Sequence, residues 1–130
     1  MFEVLKHGLR SPGGTATAIA NCESHLGITL PADLRAFYQI SDGFNDDVGN
    51  GYLVIWSLEE LSRADGYEIF IFDTQRFLFG SNGGPTAYAF IDGAYVSVPF
   101  IAAGKWQDER IMLSTSFNGF ILEIAAGRGF

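Results

Sequence analysis

Between residues 15 and 43 the apolar residues of this chain recur at helical spacing; beyond residue 51 they recur mostly every second residue. From Thr15, the residues Ile19, Cys22 and Leu26 fall at i, i+3 and i+7, which predicts an amphipathic helix with Thr15 as its N-cap and Gly27 as its stop. In "PADLRAFYQIS", Pro31 suits a first helical position, and Asp33 close behind favours the positive end of the helix dipole. Leu34, Phe37, Tyr38 and Ser41 line one face of this second helix, and Gly43 ends it. Ahead of both, "FEVLK" reads equally as a helical turn or a strand before "SPGG" breaks it.

The segment "DGFNDDVGNG", Asp42 to Gly51, is polar and acidic and is predicted to be a loop. After it "YLVIW" reads as a strand, and in "YEIFIF" Tyr67, Ile69 and Ile71 oppose Glu68, Phe70 and Phe72. Between these two, "SLEELSRAD" predicts a short helix in which Ser57 and Glu60 have the spacing of a capping box. "RFLF", "TAYAFI" and "AYVSVPF" are three further strands, the last two joined by a tight turn at Gly93. "SFNGFILEIA" returns to helical spacing through Phe117, Phe120, Ile121 and Ile124, although Gly119 costs such a helix about 1 kcal/mol relative to alanine. The fold class is therefore α+β: two N-terminal helices, a mostly antiparallel sheet with a short inserted helix, and a C-terminal helix. Residues 1–130 contain no repeat or linker and read as one domain, with helices on one face of the sheet.

The glycine-rich stretch "FGSNGGPTAYAF" raises the question of a phosphate-binding loop. Such a loop needs a helix after it, so that backbone amides and the helix dipole converge on the anion. Here Pro85 removes one amide donor, no Lys-Ser or Lys-Thr pair follows, and "TAYAFI" alternates as a strand does. Strand, glycine turn, strand is a β-hairpin, and the loop is read as structural.

Composition narrows the function classes. Hydrophobic residues make up 48% and charged residues 18%, which suits a packed globule and not a disordered acidic tail. Eight basic residues against fifteen acidic ones give a net charge of -7, which repels a phosphate backbone and argues against direct nucleic-acid binding. The same charge attracts a basic partner over distance. Cys22 is the single cysteine, so no internal disulfide can form, and no segment has the length of a signal peptide core or membrane span. A cytoplasmic protein without membrane attachment is expected.

"LGITLPADLRAFYQISDGF", then "IWSLEEL", "FLFGSNGGPTAYAF" and "SFNGFILEI", together resemble the SUKH superfamily of Knr/Smi-like domains. The matching positions are Leu26, Gly27, Leu30, Pro31, Phe37, Asp42, Gly43, Gly80, Gly83, Gly84, Ser116 and Phe117, within a span of residues 15 to 126. Asn118 and Gly119 depart from the pattern, standing where acidic helix formers are usual. The resemblance implies a binding module without a catalytic residue. Its members include bacterial immunity proteins that neutralise toxins, often nucleases, and a yeast regulator of cell-wall assembly described as a signalling scaffold. The implied function is immunity against a cognate toxin; the alternative is a regulatory scaffold without a toxin partner.

The residues themselves suggest little chemistry. Cys22 and His25 share a helix face, but two ligands are too few for structural zinc, and His7 is the only other imidazole. Cys22 is read as a small core residue. "DGFNDD" lacks the ligand register and closing glutamate of a calcium loop. Neither histidine has the context of a catalytic triad, and Glu60 is better explained as a cap than as an acid/base partner of Glu59. Neither a metal nor a cofactor is implied, and no enzymatic role. What remains are acids without a local structural role: Asp46 and Asp47 in the polar loop, and Asp65, Asp73, Asp108 and Glu109 in other loops or element ends. They are either a solvated surface or, with Trp106 in "GKWQDER" as an aromatic anchor, a face that mimics nucleic acid toward a basic toxin.

Overall fold

Thr15 opens α1 (Ala16–Leu26) as its side-chain oxygen accepts the Ala18 N–H at 3.0 Å, and Gly27 closes it in the left-handed region at φ 70°. The structure, a computed structural model, describes residues 8–9, 13–63, 71–73, 76–99 and 110–128. Ile19, Cys22 and Leu26 are the buried stripe of α1, as their spacing predicts. In α2 (Ala32–Ile40) the buried residues are Leu34, Phe37 and Tyr38. Pro31 is the N-cap and not the first helical residue: its ψ of 149° is extended, so the helix begins one residue later than predicted. Arg35 binds α2 to α1, donating to Glu23 Oε2 at 3.2 Å and to the Leu30 carbonyl at 2.9 Å.

The acidic segment after α2 is not a loop. Phe44–Val48 forms β1, paired antiparallel with β2 (Gly51–Ile55) in the register Phe44↔Ile55, Asp46↔Leu53 and Asp47↔Tyr52. Only the ends of "FNDDV" are fully buried, Phe44 and Val48, so its local pattern is too polar to reveal a strand. Pairing with the strongly apolar β2 satisfies the backbone, and charged side chains suit an edge strand. Of this segment Asp42 has a different task, accepting the Leu58 N–H at 2.9 Å at the start of α3 (Leu58–Arg63). The predicted capping box is present there: Glu60 N–H donates to Ser57 Oγ at 3.1 Å and Ser57 N–H to Glu60 Oε1 at 2.9 Å.

The remaining strands are β3 (Ile71–Asp73), β4 (Arg76–Ser81), β5 (Thr86–Ile91), β6 (Ala94–Pro99) and β7 (Ile111–Ser114). All pairings are antiparallel, in the order β1-β2-β4-β5-β6-β7. β3 lies on the same edge of β4 as β2 but further along it, opposite Arg76 and Phe77. The strand read in "YEIFIF" is seen at Ile71 and Phe72; its start lies outside the described residues. The β5–β6 turn has positive φ at both central residues, 51° at Asp92 and 83° at Gly93, the geometry of a type I′ hairpin. β7 is absent from the sequence reading, because four residues that are half or fully exposed carry no alternation.

Ser116 caps α4 (Phe117–Ala125), its Oγ accepting the Gly119 N–H at 3.0 Å. This helix runs from β7 to the opposite end of the sheet, where the Asn50 N–H of the β1–β2 turn donates to the Ala125 carbonyl at 2.8 Å. Gly119 is what lets the helix lie close to β7: a Cβ there would stand 2.1 Å from Ser114 Oγ.

Alternation along β5 and β6 divides the core in two. Tyr88 and Tyr95 face the helices and join Phe37, Phe79, Phe117 and Phe120 in one cluster, with centroid separations of 5.1 Å for Phe37–Phe117 and Tyr88–Phe120. Ala87, Ala89, Ile91, Val96 and Val98 face the other way and form a second cluster with Leu78. Helices on one face of an antiparallel sheet make this an α+β fold. Burial pushes the Tyr88 phenol up to about 12, and raises Tyr38 and Tyr95 as well. Tyr38 donates to the Trp56 carbonyl at 2.5 Å, so its buried hydroxyl is satisfied.

Candidate protein-binding surface

β1 and β2 carry their side chains alternately inward and outward. Phe44, Val48, Leu53 and Ile55 are buried toward the helices; Asn45, Asp47, Tyr52 and Val54 point the other way. Asp46 and Asp47, grouped in one acidic loop by the sequence reading, therefore lie on opposite faces of a strand. Asp46 sits opposite Leu53, half-buried, and its Oδ1 accepts the Asp47 N–H at 2.7 Å. Asp47 is exposed beside Tyr52.

Tyr52 is 38% exposed, a large aromatic ring in mid-strand turned to solvent. Its hydroxyl donates to Asn45 Oδ1, and Gly83 of the β4–β5 hairpin lies against its ring. The β-hairpin read from the glycine-rich stretch is present: Asn82 N–H donates to the Thr86 carbonyl at 3.0 Å, and Gly83 turns the chain at φ 81°. Asn82 Oδ1 also accepts the Gly84 N–H at 2.9 Å and the Thr86 N–H at 3.3 Å, which stiffens the tip. Together Asn45, Tyr52, Val54, Asn82 and Gly83 line an open hollow of about 440 Å³. The hollow was legible in part: inward Leu53 and Ile55 imply outward Tyr52 and Val54, whereas Asn82 arrives only through the pairing of β2 with β4.

A second hollow, of about 460 Å³, lies between α1 and α3 and is lined by Ala18, Asn21, Cys22, His25, Leu58 and Glu59. Cys22 is buried at its base and its thiol faces the Leu58 carbonyl at 3.7 Å, the behaviour of a small core residue. His25 and Glu59 are exposed at its rim. Among the described residues, no three His, Cys, Asp or Glu side chains come together to hold a metal ion.

Of the other acids singled out from sequence, Asp73 ends β3, paired with Arg76 in the backbone register. Asp65, Trp106, Asp108 and Glu109 lie outside the described residues. Arg35, Arg110 and Arg128 are each paired with an acid, Glu23, Asp92 and Glu123 respectively. No helix among the described residues is long and apolar enough to cross a membrane.

A family model described as the SMI1 / KNR4 family (SUKH-1) matches residues 13–123. No curated protein matches the chain.

Proposed function

This chain belongs to the SMI1 / KNR4 family (SUKH-1), and from that premise we propose that it is an immunity protein that binds and neutralises a basic bacterial toxin. The family match carries the binding role, and the net charge of -7 supports the choice of a basic partner. The protein acts without catalysis, in the cytoplasm, by covering the active site or substrate groove of the toxin. Its acidic surface draws the partner in over distance, and a few buried anchors hold it.

The test is the association kinetics of this protein with a toxin encoded beside its gene, at several salt concentrations, together with protection of cells that express that toxin. Association should slow steeply as salt rises, because screening shortens the reach of the acidic surface. Tight binding at a salt-independent rate removes the electrostatic part of the proposal. Failure to bind or to protect removes the immunity role and favours a regulatory scaffold of the kind the family also contains.

A further inference from the structure

We propose that the outward face of β1 and β2, with the hairpin tip at Asn82 and Gly83, docks an arginine side chain presented by a basic protein partner. This assigns a contact surface to the binding role proposed above and rests on it. A solvent-facing tyrosine in mid-strand leaves apolar area in water, and here its ring is held rather than free. Its hydroxyl is tied to Asn45, and Gly83 backs the ring, where a Cβ would lie 3.2 Å from Cδ1. A ring fixed before binding loses little freedom when a partner arrives.

A carboxylate stands beside it. Asp47 is the register partner of Tyr52, so the two side chains stand next to each other on the same face. Among the described residues no cation pairs with Asp47, while Arg35, Arg110 and Arg128 are taken by other acids. A planar guanidinium meets this combination better than an ammonium does. It stacks on the aromatic face, forks onto the carboxylate, and lays its methylene stem on an apolar floor, which Val54 supplies. Asn45 Oδ1, which already accepts one hydrogen bond, has a second lone pair for a guanidinium N–H. The hollow of about 440 Å³ is shallow and open to a side chain carried on another protein's surface.

The experiment titrates the full chain with the blocked tripeptide Gly-Arg-Gly, following backbone amide resonances, and repeats it with citrulline in place of arginine. Saturable shifts centred on Tyr52, Val54 and Gly83 are expected. Citrulline, or the Asp47→Asn substitution, should weaken binding about two- to fivefold, the range for one exposed charge contact. Tyr52→Ala should abolish the response, whereas Tyr52→Phe, which keeps the ring, should retain most of it. No saturable response, shifts spread over the whole acidic surface, or equal binding of citrulline overturns the proposal. A parallel measurement with the toxin encoded beside the gene separates the two claims. If wild type, Asp47→Asn and Tyr52→Ala all bind it equally, the docking face is wrong and the immunity role stands. If the toxin does not bind while the arginine peptide does, the immunity role fails and the docking face stands.

Discussion

Asp33 Oδ2 accepts the backbone N–H of Phe117 at 2.6 Å, so a carboxylate from α2 satisfies the first residue of α4, 84 positions away. Its other oxygen accepts the Tyr95 hydroxyl at 2.5 Å and the Leu34 N–H at 2.9 Å. One half-buried side chain thus joins two helices and strand β6. Asp33→Ala removes the carboxylate that accepts from the Phe117 N–H and the Tyr95 hydroxyl and should cost about 2–4 kcal/mol. Asp33→Asn, which keeps one acceptor oxygen, should cost less. Urea unfolding of both variants and of Tyr95→Phe, arranged as a double-mutant cycle, should show Asp33 and Tyr95 coupled; additive losses would mean that the two do not interact.

Much of this architecture was legible in the sequence, and the misses have a common cause. Periodicity exposes Ile19, Cys22 and Leu26, or Phe117, Phe120, Ile121 and Ile124, because each set shares a face of a single helix. Asp33 looks from sequence like a residue serving the dipole of its own helix, since a partner 84 residues away leaves no local trace. β1 leaves no local trace for a related reason: between Phe44 and Val48 the residues are polar, and only pairing with β2 makes them a strand. Asp46 and Asp47 are adjacent in sequence, yet the two-residue period of the strand separates them. Tyr52 and the hairpin tip were each readable as elements; their meeting is a property of the register.

Gly119→Ala separates local propensity from packing. Helix propensity alone predicts a gain of about 1 kcal/mol for alanine in an exposed helix. Against β7 the added Cβ would come within 2.1 Å of Ser114 Oγ, an oxygen that also accepts the Ser116 N–H at 3.1 Å. A net loss of about 1–3 kcal/mol is expected, and Ser114→Gly in the same chain should recover part of it. Thermal unfolding of the single and double variants decides the matter; a stabilised single variant would show that the Ser114 side chain or α4 itself yields to the added methyl group.

Phe37→Ala tests the shared core. The ring is fully buried and packs on Phe117 at 5.1 Å and Tyr38 at 5.9 Å. Its removal should cost about 3–5 kcal/mol, a large part of the stability of a domain this size. Urea unfolding at neutral pH provides the measurement, and an unchanged midpoint would be incompatible with this burial.

Alkaline pH should destabilise the fold in a defined window. Burial holds Tyr88 up at about 12 and is also the largest cause raising Tyr38 and Tyr95; for Tyr95 the hydrogen bond to Asp33 and that residue's charge add to it. In the unfolded chain each phenol ionises near 10. The native state therefore keeps protons that the unfolded state releases. This stability is fully present below about pH 10 and declines above it, by up to about 1.4 kcal/mol per pH unit for each such tyrosine. Urea midpoints between about pH 8 and pH 11.5 should stay level and then fall. Tyr88→Phe should make the fall shallower, and a midpoint that stays level throughout would mean that these phenols are not protected.

The alternation of β1 and β2 has a consequence for how such a surface can change. Every outward position there is flanked along the strand by inward ones, and the interior anchors Phe44, Val48, Leu53 and Ile55 are essentially sealed from solvent. Asn45, Asp47, Tyr52 and Val54 can be exchanged without altering the volume or polarity of that interior, since they share a ladder with it but not a side of the sheet. The proposed docking face and the folded interior thus share the same ten residues in interleaved form, so the outward chemistry is open to mutational drift while the scaffold stays put.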